Sequence, residues 1–282
     1  MTIRETLQGW CTDIFAGDMF KGVETILKLN PSTSEYQTVW NVVCNIYEDV
    51  CVPVGMGLVL IYFVVNLYER AMQQNNFDLD HIVKMLLKLF FGLYFIEHGL
   101  ELMASIYSLG FSFVSDIAAT GGKEYSSAGV VKKVWTSLTG EAWKGEWGKL
   151  ESIGYFLAYG ISLLIPFLAT KILMVVVNFV CYSRLIEFYI RTAMAPIALS
   201  DFFTEGTHSN GWRFVKGYIA VALQSGIIML AVIVFNSVGN ALLGSEVESY
   251  WVALIKYLAL AFATVGIMLK SLSLTKEIVG AN

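Results

Sequence analysis

Charge is what this sequence has least of. Of its 282 residues only 15% are Asp, Glu, Lys or Arg, against about 25% in a soluble domain. Only four prolines interrupt it, which leaves room for long unbroken helices. The net charge of -4 gives no basic footprint for tight nucleic-acid binding. Cys11, Cys44, Cys51 and Cys181 are scattered. Cys44 and Cys51 share a helical face but make no metal-ligand spacing, so all four read as small apolar packing residues. His81, His98 and His208 form no HExxH-like cluster. There is no nucleophile elbow, kinase signature or metal motif, and the Gly121–Gly122 pair lacks the strand–turn–helix setting of a phosphate loop. The pattern implies no enzyme activity and no cofactor.

What is present is apolar. Hydrophobic residues make up 56% of the chain and the mean hydropathy is +0.62. A hydrocarbon core of about 30 Å is crossed by about 20 apolar residues in a helix. Val52–Tyr68 is a clear first span, closed by Glu69 and Arg70. Ile82–Ile117 is apolar throughout but overlong, so it must protrude or break. Phe214–Leu243 and Tyr250–Leu269 are two more spans, joined by the acidic turn "GSEVES". The block Ile153–Ser200 is too long for one span and almost without loop. It reads as one span with a cytoplasmic extension, or as a tight hairpin turning near Ser183–Arg184, where there is no Gly, Pro or Asn. The fold class is all-α: a polytopic integral membrane helical bundle of five spans, six in the alternative. Its parts are an amphipathic N-terminal region (1–50), the first two spans (51–118), a hydrophilic central loop (119–151) and a C-terminal membrane bundle (152–282).

The N-terminal stretch carries charges throughout and lacks the apolar core of a signal peptide. Ile3, Leu7, Trp10, Ile14 and Phe15 recur at helical spacing. Such a helix suits the membrane interface, or equally a packing role on other protein. Lys and Arg concentrate on the cytoplasmic side of membranes. That puts the "GSEVES" turn outside and the C-terminal tail, with Lys270 and Lys276, inside. For the first half, the lysines of the central loop favour six spans, with the N-terminus inside. The missing turn at Ser183 favours five.

Several residues are candidates for function. Arg184, Glu187 and Arg191 lie at i, i+3 and i+7 and make a charged intramembrane or interface rung, with Glu187 to Arg191 in the favourable i,i+4 order. The rung either ties helices together or binds a ligand. Glu97 and Glu101 share a face and, with Lys171, are a candidate polar path for ions or protons. The central loop mixes Lys132 and Lys133 with Trp135, Trp143 and Trp147. Such a mixture either anchors at lipid headgroups or touches a substrate or partner.

The stretch "RTAMAPIALSDFF" (Arg191–Phe203), followed by "GWRFVKGYIAVALQSGIIML", resembles the TrbL-type polytopic membrane component of conjugative type IV secretion systems. Ala193–Phe203 and Gly211–Gln224 carry the match. Pro196, Asp201, Trp212 and Arg213 form an architectural joint in it, with Pro196 disrupting the helix. The resemblance implies a channel or scaffold subunit of the bacterial cytoplasmic (inner) membrane. It implies a homo-oligomeric ring working with other secretion subunits, including cytoplasmic ATPases, to pass DNA or protein substrate. It also implies five spans, an outside central loop and an N-terminal helix lying flat on the outer leaflet. The alternatives are a small-solute or ion transporter and a structural membrane anchor.

Overall fold

The computed structural model describes residues 3–15, 18–20, 22–29, 37–73, 79–121, 131–132, 135–136, 150–202, 209–244 and 250–281. Among these, the backbone is helical apart from short turns, and no strand occurs. The helices are α1 (Ile3–Phe15), α2 (Val23–Leu27), α3 (Gln37–Ile46), α4 (Val52–Gln73), α5 (Leu79–Glu97), α6 (Gly99–Gly121), α7 (Leu150–Leu199), α8 (Asn210–Gly244) and α9 (Tyr250–Val279). Five segments are long and apolar enough to cross a membrane: Gln37–Glu69, Gly99–Gly121, Gly160–Leu199, Asn210–Leu242 and Trp251–Val279. In hydrocarbon each backbone amide must be bonded within its own segment, and a continuous helix does this.

Three details refine the sequence reading. First, α7 runs unbroken for 50 residues, about 75 Å at about 1.5 Å per residue. There is no turn at Ser183–Arg184, so the hairpin of the six-span alternative is absent. Second, the overlong second block breaks at His98, between α5 and α6. The break is slight: His98 N–H still bonds the Tyr94 carbonyl at 3.0 Å, and Leu102 N–H the His98 carbonyl at 3.4 Å. Third, the first span begins well before Val52. α3 passes through a wide π turn, Tyr47–Cys51, straight into α4.

The chain divides into two compact units. One comprises Met1–Leu27, Asp116–Tyr182 and Ile227–Ser271; the other comprises Lys28–Ser115, Ser183–Gly226 and Leu272–Asn282.

In the first unit, α1 has its apolar face against the chain's own helices. Leu7, Cys11, Ile14 and Phe15 are all buried. Trp10 stacks on Phe167 with centroids 5.3 Å apart, and Phe15 meets Tyr257 at 5.1 Å. Phe20, just beyond α1, meets Phe235 edge-on at 4.7 Å. Asp13 accepts a hydrogen bond from the Lys171 ammonium at 3.1 Å. This corrects the expectation of a helix lying flat on a leaflet: the face that would enter lipid is occupied by protein. Burial also pushes the Cys11 thiol up to about 12, and only the thiolate is nucleophilic. Cys11 is therefore expected to resist maleimide at pH 8 in the folded protein and to react once it is unfolded. Rapid labelling of the native chain would show that α1 is not docked.

In the second unit, α5 packs along α4, and helices approach closely where glycine removes the side chain. A Cβ at Gly55 would lie 2.6 Å from the Pro196 carbonyl oxygen, and one at Gly110 would lie 2.5 Å from that of Ala222. Small residues at such contacts are how helices associate in lipid, where no hydrophobic force drives them together. At Gly57, by contrast, a Cβ would meet nothing within 4 Å. Gly110→Ala is expected to destabilise the detergent-solubilised protein by about 1–3 kcal/mol through overpacking. Gly57→Ala should be neutral or stabilising, because alanine is the better helix former. Thermal melting of the two variants side by side checks this; equal melting would mean that the Gly110 contact is not formed.

Candidate functional site

The second unit has a core of aromatic rings centred on Phe188 of α7. Tyr107 of α6 lies 4.1 Å from it, Tyr218 of α8 5.5 Å, and Trp40 of α3 stacks at 6.5 Å. The hydroxyls on these rings are bonded across helices. Tyr218 Oη and Thr192 Oγ1 share a hydrogen bond of 2.8 Å, and Tyr218 donates to the Met103 carbonyl at 3.3 Å. Tyr107 donates to the Leu29 carbonyl at 2.6 Å, and Tyr47 to the Ile96 carbonyl at 2.7 Å. Each tyrosine thus fills space with its ring and ties two segments together with its oxygen.

The charged rung sits against this core and divides in two. Arg191 donates twice to Glu187 Oε1, from Nε at 2.9 Å and from Nη2 at 2.6 Å. Its guanidinium rests over Gly217, where a Cβ would come within 3.0 Å of it. Arg184 is only 4% exposed. Its Nε donates to the Val221 carbonyl of α8 at 3.1 Å, and the guanidinium lies 6.0 Å from the Tyr107 ring centroid. The i,i+4 pair anticipated from spacing is formed. Arg184 instead points inward and engages α6 and α8. Shared helical spacing did not reveal this, because what lies opposite each residue decides its burial.

The joint after α7 is compact. The helix does not stop at Pro196 but continues to Leu199, which corrects the expected disruption. Pro196 sits in the last turn, where its missing N–H leaves only one helical bond unmade. Phe202 N–H closes the turn on the Leu199 carbonyl at 2.9 Å. Ser209 then caps α8: its Oγ accepts the Trp212 N–H at 3.2 Å. Asp201 accepts the Asn210 N–H at 3.2 Å, placing a carboxylate at the positive end of the α8 dipole. Phe202 packs edge-on against Trp212 at 5.7 Å and stacks on Phe95 at 5.5 Å. Arg213 is exposed. Lys216, one turn on, lies 6.0 Å from the Trp212 ring and donates to the Gly280 carbonyl at 3.3 Å.

The other candidates are placed more simply. Glu97 and Glu101 are exposed on α5 and α6 in the second unit. Lys171 belongs to the first unit, where Asp13 engages it and the Phe167 ring lies 5.1 Å away. Lys132 is exposed and Trp135 half-buried. Lys133, Trp143 and Trp147 lie outside the described residues. Among those described, no group of three His, Cys, Asp or Glu is placed to hold a metal.

Five membrane-crossing helices, and a second unit with a charged, tyrosine-bonded core, are features that many membrane proteins share, so comparison decides the family. Residues 23–196 match the family described as TrbL/VirB6 plasmid conjugal transfer like protein. The chain belongs to that family. No curated protein and no solved structure matches it. The TrbL/VirB6-like chain is a multi-pass protein of the inner membrane and a membrane component of the conjugal-transfer machinery. The matched region takes in the π turn, the α5–α6 break, the Glu187–Arg191 pair and Pro196.

The hydroxyl bonds between helices of this family member are testable. Each is worth about 0.5–2 kcal/mol in membrane proteins. Tyr218→Phe keeps the ring and removes the bonds to Thr192 and Met103. It is expected to lower the melting temperature in detergent, with Thr192→Val reproducing part of the loss and the double variant little worse than Tyr218→Phe alone. Strictly additive losses would show that the two hydroxyls are not paired.

Proposed function

We propose that the chain is a scaffold and channel subunit of a conjugative type IV secretion machine, passing DNA or protein across the inner membrane. The observation that carries this reading is the family match over residues 23–196. Five membrane-crossing segments agree with it. In this reading several copies assemble in the bilayer with other secretion subunits, including cytoplasmic ATPases. The central loop, with Lys132, Lys133, Trp135, Trp143 and Trp147, faces partners or substrate on the outer side. The joint at Pro196, Asp201, Trp212 and Arg213 faces the cytoplasm with the C-terminus.

The charged rung has a structural part in this scheme. A half-buried ion pair and an arginine bonded to a helix carbonyl fix how α7 sits against α6 and α8. The second unit contains a small pocket beside α4 and α5, lined by residues including Asn66, Lys88 and Ser200. It lies apart from the rung residues.

The test is genetic and topological. Deleting the gene should abolish conjugal transfer, and the wild-type chain supplied in trans should restore it. A fluorescent protein fused after Asn282 should fluoresce, as it does only in the cytoplasm, while a cysteine at Ser126 should label from outside intact cells. Undiminished transfer without the gene would reject the secretion reading. A dark fusion would reject the orientation.

A further inference from the structure

The most apolar stretch of α7 holds one charge. From Gly160 to Ser183 only Lys171 is charged, and Arg184 ends the run. A hydrocarbon core is crossed by about 20 residues. Such a length fits the run only if it begins between 160 and 164, so Lys171 stays about seven or more residues from either end, about 10 Å in at about 1.5 Å per residue. The ammonium is tied at that depth rather than reaching for a surface: it donates to Asp13 of α1 at 3.1 Å. The pair is only half enclosed, with the Lys171 and Asp13 side chains 42% and 38% exposed.

Contacts within the first unit carry α1 to the same depth. Trp10 stacks on Phe167 and Asp13 meets Lys171, so α1 and α7 run in the same direction. Ile3, about 10 Å before Trp10, then lies near Gly160, about as far before Phe167. Two further contacts agree. Phe15 meets Tyr257 and Phe20 meets Phe235. Those partners lie about 10 Å in from Trp251 and Leu242, where the last two crossing segments begin and end. So α1 enters beside α7 from its Gly160 end and stops partway through the membrane. Its inner face is apolar and buried. Its outer face exposes Glu5, Gln8 and Thr12, at intervals of three and four along one side of the helix, and that line ends at the Asp13–Lys171 pair. At the same depth α7 exposes Ile165, Leu168, Ile172 and Val175.

Lipid suits the α7 stripe and not the α1 line. Ionisable groups within a membrane face the bundle interior or a water-filled cavity, and this pair is not enclosed by the unit that holds it. We propose that the Glu5–Asp13 face of α1, with Lys171, lines a water-filled cleft that opens at the Gly160 end of α7 and reaches the Lys171 level, while the Ile165–Val175 stripe meets lipid. Water is the occupant the chemistry selects. Asp13 and Lys171 already neutralise each other, so no further charge is called for. The carboxylate keeps acceptor sites and the ammonium keeps donors, and water serves both. The polar line also runs unbroken from the Ile3 end of α1, so water follows it inward without crossing hydrocarbon. The cleft rests on the secretion reading only in that its open end is the outer one.

Four single variants, Gln8→Cys, Thr12→Cys, Leu168→Cys and Ile172→Cys, in a Cys44→Ser background, test the cleft in spheroplasts of transfer-competent cells; Cys11, Cys51 and Cys181 are buried. Positions 8 and 12 are read independently, and chain abundance in the membrane checks the folding of each variant. A membrane-impermeant sulfonated maleimide added from outside should label positions 8 and 12 at least about tenfold faster than 168 and 172, because only the thiolate reacts and a rise of about one unit in thiol pKa already slows it tenfold. After denaturation all four should label alike, which shows that each thiol is present. Equally slow labelling of the four in native membranes overturns the cleft. So does a disulfide between copies of the Thr12→Cys chain with slow labelling, since the face then packs on protein. Fast labelling of positions 8 and 12 only in inverted vesicles overturns the outer opening. Transfer by the same strains is scored in parallel. Full transfer with positions 8 and 12 unlabelled removes the cleft and leaves the secretion role; transfer undiminished by loss of the chain removes the secretion role itself.

Discussion

Hydrocarbon offers a peptide group nothing to bond with, and the architecture follows from that restriction. Every crossing segment stays helical through glycines, prolines and even a change of winding, because a break inside the membrane strands amide groups. The break at His98 keeps both flanking helical bonds, and α7 absorbs Pro166 and Pro196 without stopping. With the backbone bonds closed within each helix, cohesion between helices falls to other means. The second unit uses two: backbones brought together at Gly55 and Gly110, and tyrosine hydroxyls that reach carbonyls of neighbouring segments.

Charge in this bundle orients helices more than it performs chemistry. Arg184 spends its buried guanidinium on a helix carbonyl and an aromatic ring. Glu187 and Arg191 neutralise each other one turn later. Both partners lie on α7, so the link to α8 is the Arg191 guanidinium resting over Gly217 rather than the ion pair itself. For a member of a transfer-machine family the arrangement is apt. The proposed scaffold role calls for stiffness between the chain's own helices, and the Phe188 cluster ties α3, α6, α7 and α8 together at one level.

Five spans or six stayed open until the unbroken α7 decided for five; the helical class was legible from hydropathy because length and apolarity are local properties. So was the Glu187–Arg191 pair, whose partners are one turn apart on one helix. The family was legible too, although the residues read for it, Ala193–Phe203 and Gly211–Gln224, lie almost wholly beyond the matched region, which ends at residue 196. What escaped were contacts whose partner is distant in sequence or is backbone. Asp13 and Lys171 are 158 residues apart, so no spacing rule joins them. Tyr47, Tyr107 and Tyr218 bond to carbonyls, which every residue possesses, so nothing in the sequence marks the acceptor. α1 was ambiguous for a related reason: an amphipathic face fits lipid and protein equally, and it is the burial of Leu7, Cys11, Ile14 and Phe15 and the stacking of Trp10 on Phe167 that separate the two.

The π turn has a geometric effect beyond its own residues. Val43, Tyr47, Cys51, Gly55 and Val59 are all buried, a strict interval of four. In an α-helix that interval drifts by about 40° per step, so five such positions would wind nearly halfway around the cylinder. The wide turn at Tyr47–Cys51 unwinds part of that drift and keeps the buried line on one side of α3 and α4. The extra residue therefore works as a phase corrector. It keeps the buried line from Val43 to Val59 nearer one side of the first crossing helix than an unbroken α-helix would.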